Sequence, residues 1–126
     1  MFRFRALAAL AGRRPLGGDR EVAVAAFVAA RLVAGVVAPD PLPLEVRATR
    51  AAGARAWLAA VAVPTPTRAP LVRIIDATGR DDGASLGTAL RALIDAASRS
   101  FDAGARRELE TLAKDGDERE AAIGRS

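Results

Sequence analysis

Three arginines and the single tryptophan of the chain occur close together. Arg47, Arg50 and Arg55 offer guanidinium groups to an anion, and the indole of Trp57 offers a face on which a nucleic-acid base could stack. Base-stacking grooves usually combine several aromatic side chains, whereas this segment has one. We therefore favour a solvated arginine row beside a core tryptophan over a base-binding site.

Residues 44–63, which carry these side chains, are predicted to form a helix with two unlike faces. One core needs only one such face, so we predict that this helix contributes to a contact between chains. One face consists of small residues that suit tight helix packing, namely Ala48, Ala52, Gly53, Ala56, Ala59 and Ala60. The predicted interaction residues belong mainly to the other face and are Arg47, Arg50, Arg55, Trp57, Leu58 and Val61.

Two interpretations of this helix stay open. The arginines would suit an acidic partner surface, which residues 115–120 of a second copy could provide in a two-fold homodimer. Alternatively, the other helices of the same chain cover both faces of residues 44–63, since small alanine-rich faces pack readily inside bundles.

Carboxylates are the other groups that could do chemistry. Asp76, Asp81 and Asp82 lie near one another, but no register matches an EF-hand, because no Asp-x-Asp pattern precedes Gly83 and no glutamate closes the loop. Helix capping and turn formation explain these residues instead. The glycine-rich phosphate loops GxxxxGK and GxGxxG do not occur in the sequence.

Missing residue types narrow the function further. The chain has no Cys, His or Tyr, which excludes disulfide scaffolds, zinc ribbons, iron–sulfur clusters and thiol catalysis. The commonest general base is also missing, so proton transfer is left to carboxylates and Lys114. We predict that the protein is not an enzyme, has no cofactor, and holds no tightly bound zinc, iron or copper.

Positive charge is concentrated at the N-terminus. Residues 1–20 contain five arginines and one aspartate, while the net charge of the whole chain is +4. This arm could bind nucleic acid, or it could lie on an anionic bilayer with Phe2, Phe4 and Leu7 inserted into the lipid. A flexible terminal arm is the simpler interpretation. Arg13, Arg14 and Pro15 stand where a signal peptide would have small residues, and we predict a cytoplasmic protein.

The composition predicts an all-α fold, because alanine is abundant and only five aromatic residues are present. We expect a compact bundle of about five helices. Residues 1–18 form the flexible basic N-terminal arm, residues 19–114 the helical bundle, and residues 115–126 a charged, disordered tail. Residues 39–43 and 64–70 are rich in proline and are predicted to be extended connectors.

The helix predicted over residues 22–38 is apolar on nearly every side, which places it at the centre of the fold. Seventeen residues with Arg31 in the middle make a poor membrane span. A buried arginine needs a partner, so Arg31 is expected to reach a carboxylate of Asp40, Glu45, Asp76 or Asp95.

Later segments show clearer helical periodicity. A short helix over residues 71–78 is capped by Thr67 and ended by Gly79. A further helix starts near Asp102. Between these two helices lies an amphipathic one whose apolar stripe is Leu86, Leu90, Leu93, Ile94, Ala97 and Phe101.

Together these patterns predict a non-enzymatic helical module for protein–protein interaction, acting as a small adaptor or structural subunit and able to form a homodimer. One alternative is a nucleic-acid-binding accessory protein that uses the basic arm and the Arg47, Arg50 and Arg55 row. Another alternative is a peripheral membrane protein attached through the N-terminal arm.

Overall fold

The computed structural model describes residues 19–37, 41–79, 86–97, 101 and 103–124. Within these ranges the chain is all-α, as predicted, and contains no strand. The predicted basic arm, residues 1–18, lies outside the described residues. The five helices are α1 (Asp19–Val37), α2 (Leu44–Ala60), α3 (Thr65–Gly79), α4 (Leu86–Ala96) and α5 (Ala103–Gly124).

Helix α1 is in contact with each of the other four helices, which confirms its predicted central position. Its small residues make this possible, because Ala25, Ala26, Ala29 and Ala30 are fully buried and let neighbouring helices approach closely. No helix in the described part of the chain is long and apolar enough to cross a membrane.

The prediction that Arg31 reaches a carboxylate is wrong for Glu45, Asp76 and Asp95, while the fourth candidate, Asp40, lies outside the described residues. The Arg31 side chain is exposed, and no described carboxylate pairs with it. The apolar residues of α1 do not extend quite round the helix, so Arg31 lies on the one side that faces water. The guanidinium keeps its hydration there and needs no buried partner.

Helix α3 begins inside the segment predicted to be an extended proline-rich connector. The Pro64 carbonyl accepts hydrogen bonds from the backbone N–H groups of Thr67 (3.0 Å) and Arg68 (2.9 Å), so the helix starts at Thr65. Proline is tolerated in a first helical turn, where its missing N–H would have no intrahelical partner. Thr67, the predicted cap, is instead buried within α3.

The corner between α2 and α3 is held by Arg68. Its guanidinium donates to the carbonyl oxygens of Leu58 (3.1 Å) and Val61 (3.0 Å). The last carbonyls of a helix have no intrahelical partner, and a basic side chain can satisfy them. This contact fixes the direction in which α2 ends.

Helix α4 confirms the predicted apolar stripe. Its four largest apolar side chains, together with Ala97 just beyond the helix, are buried, and Phe101 packs half-buried against the core. On α5 the side chains of Ala105, Leu109 and Leu112 are fully buried.

Residues 115–126, predicted to be a disordered tail, instead continue α5 as far as Gly124. The helix continues because Gly116 packs against the backbone of α4, where a Cβ on Gly116 would lie 2.9 Å from the Gly87 nitrogen. Asp117 forms an ion pair with Arg91 of α4. Burial raises the pKa of Asp115, and the charge of Glu118 raises it further, so this segment is not simply a solvated tail.

Candidate functional site

Helix α2 was the segment expected to carry the interaction residues, and the structure separates them into two groups. Arg47 is buried, and its Nε donates to the Leu42 carbonyl oxygen at 2.8 Å. This bond ties residues 41–43 to the start of α2. Arg47 therefore supports the fold instead of extending into solvent beside Arg50.

Three more of these residues are also engaged within the chain. Arg55 forms an ion pair with Asp76 of α3, and Leu58 belongs to the core. Val61 is half-buried, and its carbonyl accepts the bond from Arg68. The predicted row of three arginines consequently does not form, because each of the three lies on a different side of α2.

The small residues of α2 are exposed. Ala48, Ala52, Ala56 and Ala59 all face solvent, and so does Gly53. The alternative in which one chain covers both faces of this helix is therefore wrong. The packed side of α2 is formed by Ala51, Ala54 and Leu58, together with Arg47.

Arg50 and Trp57 remain together and line a cleft between α1 and α2. We call it the α1–α2 cleft, and its volume is ≈ 250 Å³. The Trp57 side chain is half-buried against the core, while Arg31 and Arg50 are exposed. The residues that line it are Val28, Arg31 and Leu32 of α1 and Arg50, Gly53, Ala54 and Trp57 of α2.

The cleft combines apolar walls with two arginines that have no ion-pair partner among the described residues. Val28, Leu32 and Trp57 supply apolar surface, while α1 and α2 each contribute one arginine. No described carboxylate pairs with Arg31 or Arg50. A guanidinium is a planar fork of N–H donors that fits a carboxylate in two-point contact, so both groups can bind an incoming acid.

The volume limits what the cleft can hold. Sites for drug-sized ligands occupy about 300–1,000 Å³, and an apolar cavity of about 150 Å³ can hold benzene. At ≈ 250 Å³ the α1–α2 cleft lies between these values. The cleft suits one large apolar side chain of a ligand whose polar groups stay outside it.

A second groove lies between α2 and α3, beside Ala48, Ala52 and Ile75. Its two charged groups, Arg55 and Asp76, form an ion pair with each other. This groove therefore has less charge to offer a ligand than the α1–α2 cleft, where neither arginine pairs with a carboxylate in the described ranges.

The sequence interpretation missed Arg31, Val28 and Gly53 as members of a site. Arg31 was assigned to a buried ion pair, and Gly53 to a packing face. The sequence did contain a signal for the site residues of α2. Arg50, Gly53 and Trp57 are spaced by three and four residues and so lie on one side of a helix.

Of the three aspartates considered and rejected as metal ligands, the structure describes Asp76 alone. Asp76 is paired with Arg55, and Asp81 and Asp82 lie outside the described residues. In the described ranges there is no group of three or more Asp, Glu, His or Cys residues that could hold a metal ion.

Comparison with known proteins gives no assignment. No family model matches the chain, and no curated protein or solved structure matches it. Function must therefore be inferred from the geometry of the cleft.

Proposed function

We propose that this protein is a non-enzymatic helical module that binds an acidic segment of a partner protein in the α1–α2 cleft. The observation that carries the proposal is the combination of apolar walls with the exposed guanidiniums of Arg31 and Arg50, which no described carboxylate pairs. Trp and Arg are the residue types most enriched among those that dominate binding energy at protein interfaces. An acidic segment with an apolar side chain complements both features.

A nucleic acid is a weaker candidate for this site. Two of the three arginines once grouped with Trp57 are engaged elsewhere, Arg47 with the Leu42 carbonyl and Arg55 with Asp76. Trp57 is also the single aromatic residue lining the cleft, whereas base-binding grooves stack successive bases on several.

A homodimer built on the acidic C-terminal segment is also less favoured. Asp117 is paired with Arg91 of its own chain, and Gly116 lies against Gly87. Detaching this segment to reach a second copy would break both contacts. A different protein as partner needs no such rearrangement.

The proposal is tested by selecting ligands from a displayed library of random peptides of about 16 residues, enough for about four helical turns. We expect the selected peptides to be enriched in Asp and Glu, and their affinity to fall as salt is added. The double variant Arg31→Glu/Arg50→Glu should weaken binding by about tenfold or more, since it replaces two attractions by two repulsions.

The matched control is Arg73→Glu, which reverses one exposed arginine of α3 outside the cleft and should leave binding nearly unchanged. Selected peptides without acidic enrichment would contradict the proposal. So would equal losses in the double variant and the control, or tighter binding of duplex DNA than of any peptide.

A further inference from the structure

Four residues of α2 form a stripe along the cleft side of the helix. Val46, Arg50, Gly53 and Trp57 are separated by four, three and four residues, the spacing that aligns side chains on one face. Val46 is 40% exposed, so part of its apolar surface is accessible on this face. The stripe extends over ~16 Å, or about three helical turns. The stripe therefore continues the cleft side of α2 by about one turn beyond Arg50, to Val46.

Gly53 lies in the middle of this stripe, and the fold itself does not require a glycine there. A Cβ built on Gly53 would have no atom within 4 Å. Other glycines differ, since a Cβ on Gly35 would lie 3.0 Å from Leu42, and one on Gly116 would lie 2.9 Å from the Gly87 nitrogen. Glycine weakens the interior of a helix, so Gly53 has a cost without a packing benefit inside this chain.

A glycine in an exposed groove lowers the helix surface at that point. A second backbone can then approach α2 closely, or a large side chain can enter beside Trp57. Small residues serve this purpose wherever two helices cross at short distance. Gly53 thus points to an occupant that crosses α2 at this position.

The occupant's backbone must satisfy its own hydrogen bonds. The walls of the cleft are mainly aliphatic and aromatic side chains, and α2 already uses its backbone groups within the helix. An extended peptide would lay unpaired N–H and C=O groups against this surface. A helical peptide pairs those groups internally and presents side chains only.

We infer, on the basis of the proposed function, that the α1–α2 cleft binds an acidic amphipathic α-helix of a partner protein. One large apolar side chain of that helix lies over Gly53 beside Trp57. Carboxylates one turn before and after it reach Arg31 and Arg50. The stripe from Val46 to Trp57 is the surface along which the helix lies.

A second copy of α2 does not fit this description. An antiparallel pair that sets Val46 of one copy over Gly53 of the other brings Arg50 to the two-fold axis, next to its symmetry mate. Two like charges would then meet with no carboxylate between them. The charge of the stripe favours a partner of opposite sign.

The test uses a helix-stapled peptide with one central leucine and glutamates one turn to either side. Trp57 is the single tryptophan of a chain without tyrosine, so its emission reports binding at the cleft directly. We expect saturable binding with a blue shift of this emission. Replacing the central leucine by alanine should weaken binding by about tenfold.

Gly53→Leu should fill the cleft and weaken binding by about tenfold or more, while its circular dichroism stays helical because the new side chain has open space. Ala59→Leu adds the same side chain at an exposed position of α2 that does not line the cleft, and should bind like the parent. If Gly53→Leu unfolds, Val46→Asp provides a second test at an exposed position, and it should also weaken binding.

A peptide of the same composition with a central proline, which cannot form the helix, separates this inference from the proposed function. If it binds as tightly as the stapled helix and depends on Arg31 and Arg50, the cleft binds acidic segments but not helices, and this inference is wrong. If neither peptide depends on these arginines, both proposals fail. A peptide-free dimer that Gly53→Leu dissociates would make the second copy the occupant and overturn the inference.

Discussion

The crossing of α4 and α5 and the α1–α2 cleft use the same residue types in opposite ways. At the crossing, Gly87 and Gly116 bring two helix backbones into contact, and the ion pair of Arg91 and Asp117 lies beside them. In the cleft, Gly53 faces open space, and both arginines lack a described partner. One region is closed by the chain itself, and the other is left open.

This contrast separates residues whose neighbours lie within the chain from residues that have no described neighbour of this kind. A glycine with a backbone against it is explained by packing within the chain, as is an arginine with a carboxylate against it. The described part of the fold does not explain Gly53, Arg31 and Arg50 in this way. The partner helix proposed above would supply contacts to all three.

A Gly→Ala substitution should destabilise the protein at the crossing and stabilise it in the cleft. The larger change in the free energy of unfolding is expected at the crossing. Gly87→Ala would put a Cβ 2.6 Å from the Ala113 carbonyl oxygen, so the two helices must move apart. Overpacking of this kind costs about 1–3 kcal/mol, and we expect a loss near the upper end. Urea unfolding followed by circular dichroism measures it. Unchanged stability would show that α4 and α5 are not held at this distance.

In the cleft, Gly53→Ala should instead stabilise the protein. The added methyl group meets no atom within 4 Å, and alanine favours the helix interior over glycine by roughly 0.5–1 kcal/mol. The same urea titration measures the gain, with Gly87→Ala as the paired comparison. A destabilised Gly53→Ala would mean that the cleft is closed in solution, and the contrast between the two regions would disappear.

The smallest expected effect concerns the ion pair at the crossing. The hydrogen bond that Arg91 donates lowers the pKa of Asp117, and the positive charge of Arg91 also lowers it. A carboxyl group whose pKa is lower in the folded state stabilises the protein above its unfolded pKa, about 3.9, and this contribution is lost as the pH falls through the folded value. Both side chains are exposed, so the contribution is small.

We therefore expect Asp117→Asn to melt slightly below the parent at pH 7 and together with it near pH 2. Asp95→Asn, an exposed substitution on α4 outside this pair, is the matched control and should not reproduce the pH-dependent difference. A melting difference that persists unchanged at pH 2 would assign the effect of Asp117 to packing against Gly87 instead of charge.

Much of the fold could be predicted because local periodicity encodes it. The stripe from Leu86 to Ala97 follows the helical repeat, and the apolar residues on nearly every side of α1 indicate a central helix. Residues 115–124 were misjudged because their composition is typical of a solvated tail. The contact that orders them, between Gly116 and Gly87, joins residues far apart in sequence and leaves no local pattern.

The site was predictable only in part. Residue type was enough to single out Arg50 and Trp57, but the rotation of α2 about its axis decided which neighbours join them. Neither of its two faces is simply polar, so hydrophobicity alone could not say which one is buried. The buried bond from Arg47 to the Leu42 carbonyl and the pair of Arg55 with Asp76 help to fix that rotation. Arg31 comes from another helix, and only the folded chain brings it to the cleft.

The contacts of α1 with all four other helices also have a consequence for the order of folding. Helix α1 leaves the ribosome first among the five, yet part of its apolar surface is covered by α5, which is made last. Helix α1 therefore cannot complete its packing during synthesis of α2, α3 and α4. Through that interval the part of its alanine and valine surface that α5 covers has not yet received this contact, so non-local packing is left for the end of synthesis.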